Sequence, residues 1–110
     1  MKAAAFGMIV CLGFASPLAA QDAKVAKGEK LYGEQKCAMC HSIGDKGNKK
    51  GPLDGVGTKL KAEELRSWLV DTKAMTAKSG ATRKPDMKSY DKLAKDDVDA
   101  LVAYMETLKK

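Results

Sequence analysis

Apolar positions along this chain follow three patterns. Residues 3–15 are an almost unbroken apolar run after the single charge of Lys2, ending in Ser16-Pro17-Leu18-Ala19-Ala20. Further on, Val25, Gly28, Leu31, Tyr32 and Gln35 recur at three- and four-residue spacing, as do Leu65, Trp68 and Leu69, and then Val98, Leu101, Met105 and Leu108. That spacing marks one buried face of a helix. It predicts helices over about 23–35, 63–72 and 96–108. Between them, 42–58 and 73–90 show no apolar period and read as loops, and no alternating strand pattern of note occurs. The expected fold class is therefore all-α, with one domain over 21–110.

The first run has the three-part layout of a secretory signal peptide, with small residues before a cut expected after Ala20. It is shorter than the ~20 apolar residues a membrane span needs, so residues 1–20 are expected to be removed and no stable membrane insertion is expected. Cys11 lies inside that run and reads as part of the signal.

Helix ends add detail. Asp22 is an expected N-cap for the first helix. The second starts with acidic residues but has Lys61, a poor cap, before them. Gly28 sits in the apolar stripe, where glycine costs ~1 kcal/mol relative to alanine. Close approach by another helix explains it, and Tyr104, beside the last stripe, is the expected partner. A loop glycine such as Gly47 is expected to tolerate substitution.

The formal net charge is +6, and aromatic residues make up only 5% of the chain. Ninety residues with so few aromatics build a modest core. The chemistry lies in Cys37-Ala38-Met39-Cys40-His41. Cys-x-x-Cys-His is the c-type haem attachment pattern: two thiols add to the porphyrin vinyl groups and the adjacent histidine takes the iron. A structural zinc site would need four ligands, and apart from Cys11 there is no further Cys or His. A dithiol redox motif would sit near a βαβ pattern, which is absent. One haem c per chain is expected, and it would fill out the core.

These five residues, with Gly51-Pro52, Leu65-Arg66-Ser67-Trp68-Leu69, Pro85-Asp86-Met87 and Leu101-Val102-Ala103-Tyr104-Met105, resemble a small bacterial class I cytochrome c over about 23–110. The resemblance implies helices wrapped around one covalently bound haem. It implies that the carbonyl of Pro52 accepts the Nδ1 hydrogen of His41, and that Trp68, whose plain role is core packing, lies against the haem on the methionine side. It also implies that Gly28 meets an aromatic of the last helix.

His41 is the only histidine, so a second histidine ligand within the chain is excluded. Met39 is pinned between the two cysteines and Met105 is spaced as a core residue, which leaves Met75 and Met87. The family's distal segment matches the one carrying Met87, although Lys88 stands where proline often follows. Iron held by His41 and Met87 has no open position for substrate, so the expected function is electron transfer by a soluble monomer exported to the periplasm, not catalysis. A ligand-binding sensor and a small electron-transfer subunit of a dehydrogenase are the alternatives. Lysines and arginine in both loops suggest redox partner proteins with acidic docking faces, with Lys109 and Lys110 expected to be remote from them; nucleic acid has no aromatic-interleaved basic patch to meet.

Overall fold

The computed structural model describes residues 17–110. Five helices carry the chain: α1 (Pro17–Glu34), α2 (Val56–Lys59), α3 (Ala62–Val70), α4 (Thr72–Ser79) and α5 (Lys95–Glu106). A 3-10 turn over Cys37–Met39 and a two-stranded antiparallel ribbon, β1 (Ser42–Ile43) and β2 (Lys46–Gly47), lie between α1 and α2. Among the described residues the architecture is that of an all-α fold. No described helix is long and apolar enough to cross a membrane. Most of the expected signal, including Cys11, lies outside the described residues.

The first stripe is the buried face of α1: Gly28 and Leu31 are buried, Val25, Tyr32 and Gln35 half-buried, and every other residue of 17–35 exposed. That face meets α5. A Cβ on Gly28 would collide with the Ala100 carbonyl and stand 2.7 Å from Tyr104 Cβ, so only glycine admits this crossing. Tyr104 then packs edge-on against Tyr32, with ring centroids 5.8 Å apart. Leu31, Leu65, Leu69, Val98, Leu101 and Met105 share one core cluster, so α1 and α3 both bury their apolar faces on α5. Burying each such side chain contributes roughly 1.5–3 kcal/mol. Lys27–Asp97 (2.9 Å) and Arg66–Asp99 are ion pairs that tie the same helices at their rims.

Four local expectations are corrected. The described residues are already helical from Pro17, well before Ala23, so Asp22 lies inside α1 and caps nothing; alanine extends a helix readily. The expected loop 73–90 contains α4, two of whose hydroxyls serve its own backbone, Thr76 Oγ1 donating to Thr72 O (2.8 Å) and Ser79 Oγ to Thr76 O (3.2 Å), while Thr72 Oγ1 reaches back to Trp68 O of α3 (2.7 Å). Gly80, at φ 72°, closes it. Gly47 is no permissive site, since at φ 98° a side chain would run into the His41 carbonyl. The C-terminus is not remote either: Gly57 N–H donates to Leu108 O (2.8 Å) and Thr58 Oγ1 to Lys109 O (3.5 Å).

The weak cap at Lys61 is made good from the other side. Its backbone N–H donates to Glu64 Oε1 (3.2 Å), the half of a capping box that needs nothing from the lysine side chain.

Candidate functional site

Helix α1 stops where Lys36 turns left-handed, at φ 57°. The reversal starts a tight turn in which Cys40 N–H (3.1 Å) and His41 N–H (2.9 Å) both donate to Cys37 O. Two thiols, three residues apart, and the imidazole next to the second thus leave a single turn. Cys37 is half-buried, Cys40 is exposed, and neither is in a disulfide.

The remaining carbonyls of the motif are all accounted for. Asn48 N–H donates to Ala38 O (3.0 Å) and His41 O (2.9 Å), and Asn48 Nδ2 donates to Met39 O (3.1 Å). Arg83 donates to Cys40 O from 43 residues further along the chain. Asn48 went unnoticed in the sequence because a single asparagine in a glycine-rich loop looks like any turn residue.

His41 Nδ1 lies 3.0 Å from Gly51 O. A carbonyl only accepts, so Nδ1 carries the hydrogen and Nε2 keeps its lone pair. The same oxygen also accepts from Ser42 N–H (3.1 Å), which holds it in place. The acceptor is therefore Gly51 and not Pro52. Pro52 is exposed, bridges Ser42 in parallel, and restricts the backbone of the glycine before it; its influence on the imidazole passes through Gly51. Burial holds the imidazole below its usual pKa, with the Gly51 bond opposing and the Arg83 charge assisting.

Two tyrosines flank Cys37. Burial chiefly, together with the neighbouring Cys37, Tyr104 and Asp54, pushes Tyr32 up to about 12, and its hydroxyl is buried without a hydrogen-bond partner. Burial pushes the Cys37 thiol up, partly offset by the Tyr90 hydroxyl beside it. Tyr90, Leu93 and Met87 pack on the core from the loop after α4. Tyr90 N–H donates to Leu69 O (2.7 Å), so this segment is anchored to α3 while its ring reaches the cysteine turn. Met87 lines an open cleft of about 520 Å³ with Asp86 and residues of α4 and its C-terminal turn; Met75 does not line it. Trp68 is half-buried and lies outside the core cluster. Met39 is 68% exposed.

No group of three His, Cys, Asp or Glu side chains among the described residues is placed to hold a metal ion. Cys37, Cys40 and His41 therefore do not converge on one point as zinc ligands would. Their donor set fits a porphyrin instead: two separate thiols for its edge, one fixed imidazole nitrogen for its metal.

A helical fold that presents an attachment turn of this kind, with a methionine-bearing segment packed beside it, defines a c-type haem protein. The cytochrome c family model matches residues 25–109, and the chain belongs to that family, as a small class I member. The family implies a covalently bound haem c with its iron, and electron transfer as the role of the domain. A cytochrome c oxidase subunit 2 of Alkalihalophilus pseudofirmus is 27% identical over 92 residues, which is 76% of this chain and 25% of that protein. The chain thus spans about a quarter of that relative's length. No solved structure matches it significantly.

Proposed function

We propose that the chain is a one-electron carrier in which Cys37 and Cys40 would hold the haem through thioethers and His41 Nε2 and Met87 Sδ would bind its iron. The observation that carries this reading is the bond from His41 Nδ1 to Gly51 O, which leaves Nε2 of the only histidine as the free nitrogen. When bound, the haem supplies an iron that cycles between two oxidation states, and thioether ligation and burial favour the reduced one.

The protein's own residues do the rest. Gly51 and Ser42 fix the imidazole, and the anchored segment of Met87 and Tyr90 keeps the second ligand in place through both states. Trp68, outside the core, is free to cover the haem on the methionine side. With both positions filled by side chains, no substrate reaches the metal, which makes the chain a carrier and not an enzyme.

Charge points to the partner. Segment 36–61 has six basic against two acidic residues, and segment 72–92 again six against two, while the rest of the described chain is acidic or balanced. These two segments border the cysteine turn. They would steer an acidic redox partner and speed encounter. Export by a cut after Ala20 agrees with the burial pattern, because residues 17–20 are all exposed and their loss uncovers no core.

Acid-acetone extraction followed by a pyridine haemochrome spectrum tests the attachment. The haem stays with the protein and gives the spectrum of two thioethers; free extraction contradicts the reading. Carbon monoxide should leave the spectrum of the reduced protein unchanged, and binding would favour a ligand-binding role. A second reading, a domain bound to a respiratory oxidase, is favoured by the likeness to a quarter of an oxidase subunit; a stable complex with such an enzyme on purification would support it.

A further inference from the structure

Four of the five carbonyls in the Cys37–His41 turn are satisfied from within residues 37–48, and Cys40 is the exception. Its carbonyl accepts from Arg83 Nη1, which comes from the segment that leads to Met87. The guanidinium occupies a defined place: it lies against the Cα of Gly51, where a side chain would collide with it, and the same hypothetical Cβ would stand 3.1 Å from His41 Nδ1. A permanent positive charge is therefore fixed at the edge of the proximal loop by a residue of the methionine-bearing loop. Lys84, next in sequence, pairs instead with Asp86 at 2.8 Å.

We propose that Arg83 is a positioning residue that sets the redox potential, joining the two ligand-bearing loops and placing its charge beside His41. The inference rests on the proposed role of His41 as the iron ligand. The physical basis is simple. A fixed positive charge near the metal favours the state with one positive charge fewer, so it raises the affinity of the site for an electron. Arg83 is exposed, which weakens the effect through solvent and salt without changing its sign. The fork matters as well, because only a guanidinium reaches a carbonyl with a rigid, always charged donor.

The test compares the holoproteins of wild type, Arg83→Gln, Arg83→Lys and Lys84→Gln by spectroelectrochemistry and thermal unfolding. Arg83→Gln should lower the midpoint potential at low salt, and the gap to wild type should narrow as salt is added. Arg83→Lys, which keeps the charge, should restore most of the potential while remaining less stable to heat than wild type. Lys84→Gln, which removes one charge of the same loop that pairs with Asp86 and not with the cysteine turn, should move the potential less. The far-red sulfur-to-iron band of each ferric variant shows that the ligands are unchanged. If wild type lacks covalent haem or that band, the proposed ligation fails. If wild type has both and Arg83→Gln has the wild-type potential, or shifts it no more than Lys84→Gln, the role given to Arg83 is wrong. A loss of thermal stability in Arg83→Gln with no change of potential would likewise make it a structural tie only.

Discussion

The Nδ1 hydrogen of His41 is held by the carbonyl oxygen of Gly51 at 3.0 Å, and that glycine has no room for a side chain. A Cβ there would strike the Cys40 carbonyl and crowd Nδ1 at 3.1 Å. Gly51→Ala should therefore tilt the imidazole or break its bond. A lost hydrogen bond to an oriented histidine typically costs 10–100-fold in metal affinity or activity. The expected outcome is a lower yield of holoprotein and an altered ferric spectrum. A variant with the wild-type spectrum and yield would mean that the contact yields without consequence.

Asn48 holds the attachment turn from one position, through its backbone to Ala38 O and His41 O and through its side chain to Met39 O. Asn48→Ala removes only the side-chain part, including the bond from Lys50 N–H to Oδ1 (3.0 Å). At ~0.5–1.5 kcal/mol for each hydrogen bond, chemical denaturation should show a loss of about 1–3 kcal/mol. An unchanged midpoint would show that solvent replaces both bonds at no cost.

Gly28 and Gly33 lie in the same helix but face opposite surroundings. A side chain on Gly28 meets Ala100 and Tyr104, whereas one on Gly33 meets nothing within 4 Å. Overpacking the crossing by Gly28→Val should cost ~1–3 kcal/mol. Gly33→Ala should stabilise the protein by ~0.4–1 kcal/mol, because it reduces the freedom of the unfolded chain at a compatible site. Effects of the same sign at both positions would contradict the α1–α5 crossing.

The two crossing helices were legible in the sequence because their stripes are long and periodic. The residues forecast for the buried face of α1 are the ones that turn inward, and Gly28 meets Tyr104 as the resemblance implied. Helix α4 was not legible. Its sequence is rich in Thr, Lys and Ala without an apolar stripe, and it is held by local hydroxyl bonds to carbonyls three or four residues back and by a glycine terminus, which leave no periodic signal. The cysteine motif announced its chemistry through spacing alone. Its supports, Asn48, Gly51 and Arg83, did not, since each acts through a backbone carbonyl that any sequence would offer. The shift of the acceptor from Pro52 to Gly51 has the same origin: sequence identifies the rigid pair, and only the bridge between Ser42 and Pro52 decides which carbonyl turns toward the ring.

Electron transfer with an acidic partner should slow as salt shortens the Debye length from ~30 to ~8 Å. Charge reversal at Lys49, Lys50 or Lys88 should reduce the rate more than reversal at Lys24. Lys24 lies in α1, about 15 Å along the helix from Glu34, and lines a cleft on the far side with Glu63, Arg66 and Asp99. It is a better comparison than Lys109, which the C-terminal contacts bring beside Thr58. Equal effects at Lys24 and Lys88 would reduce the basic loops to a general surface charge.

The proposed ligation of the iron by His41 and Met87 is read most directly from the ferric absorption spectrum. Met87 packs on the core and lines the cleft beside α4, whereas Met75 lies outside both sets of contacts. The wild-type protein should show a weak sulfur-to-iron band in the far red that Met75→Ala retains and Met87→Ala abolishes, with the reduced Met87→Ala protein becoming open to carbon monoxide. A band that survives Met87→Ala, or disappears in Met75→Ala, would contradict the assignment.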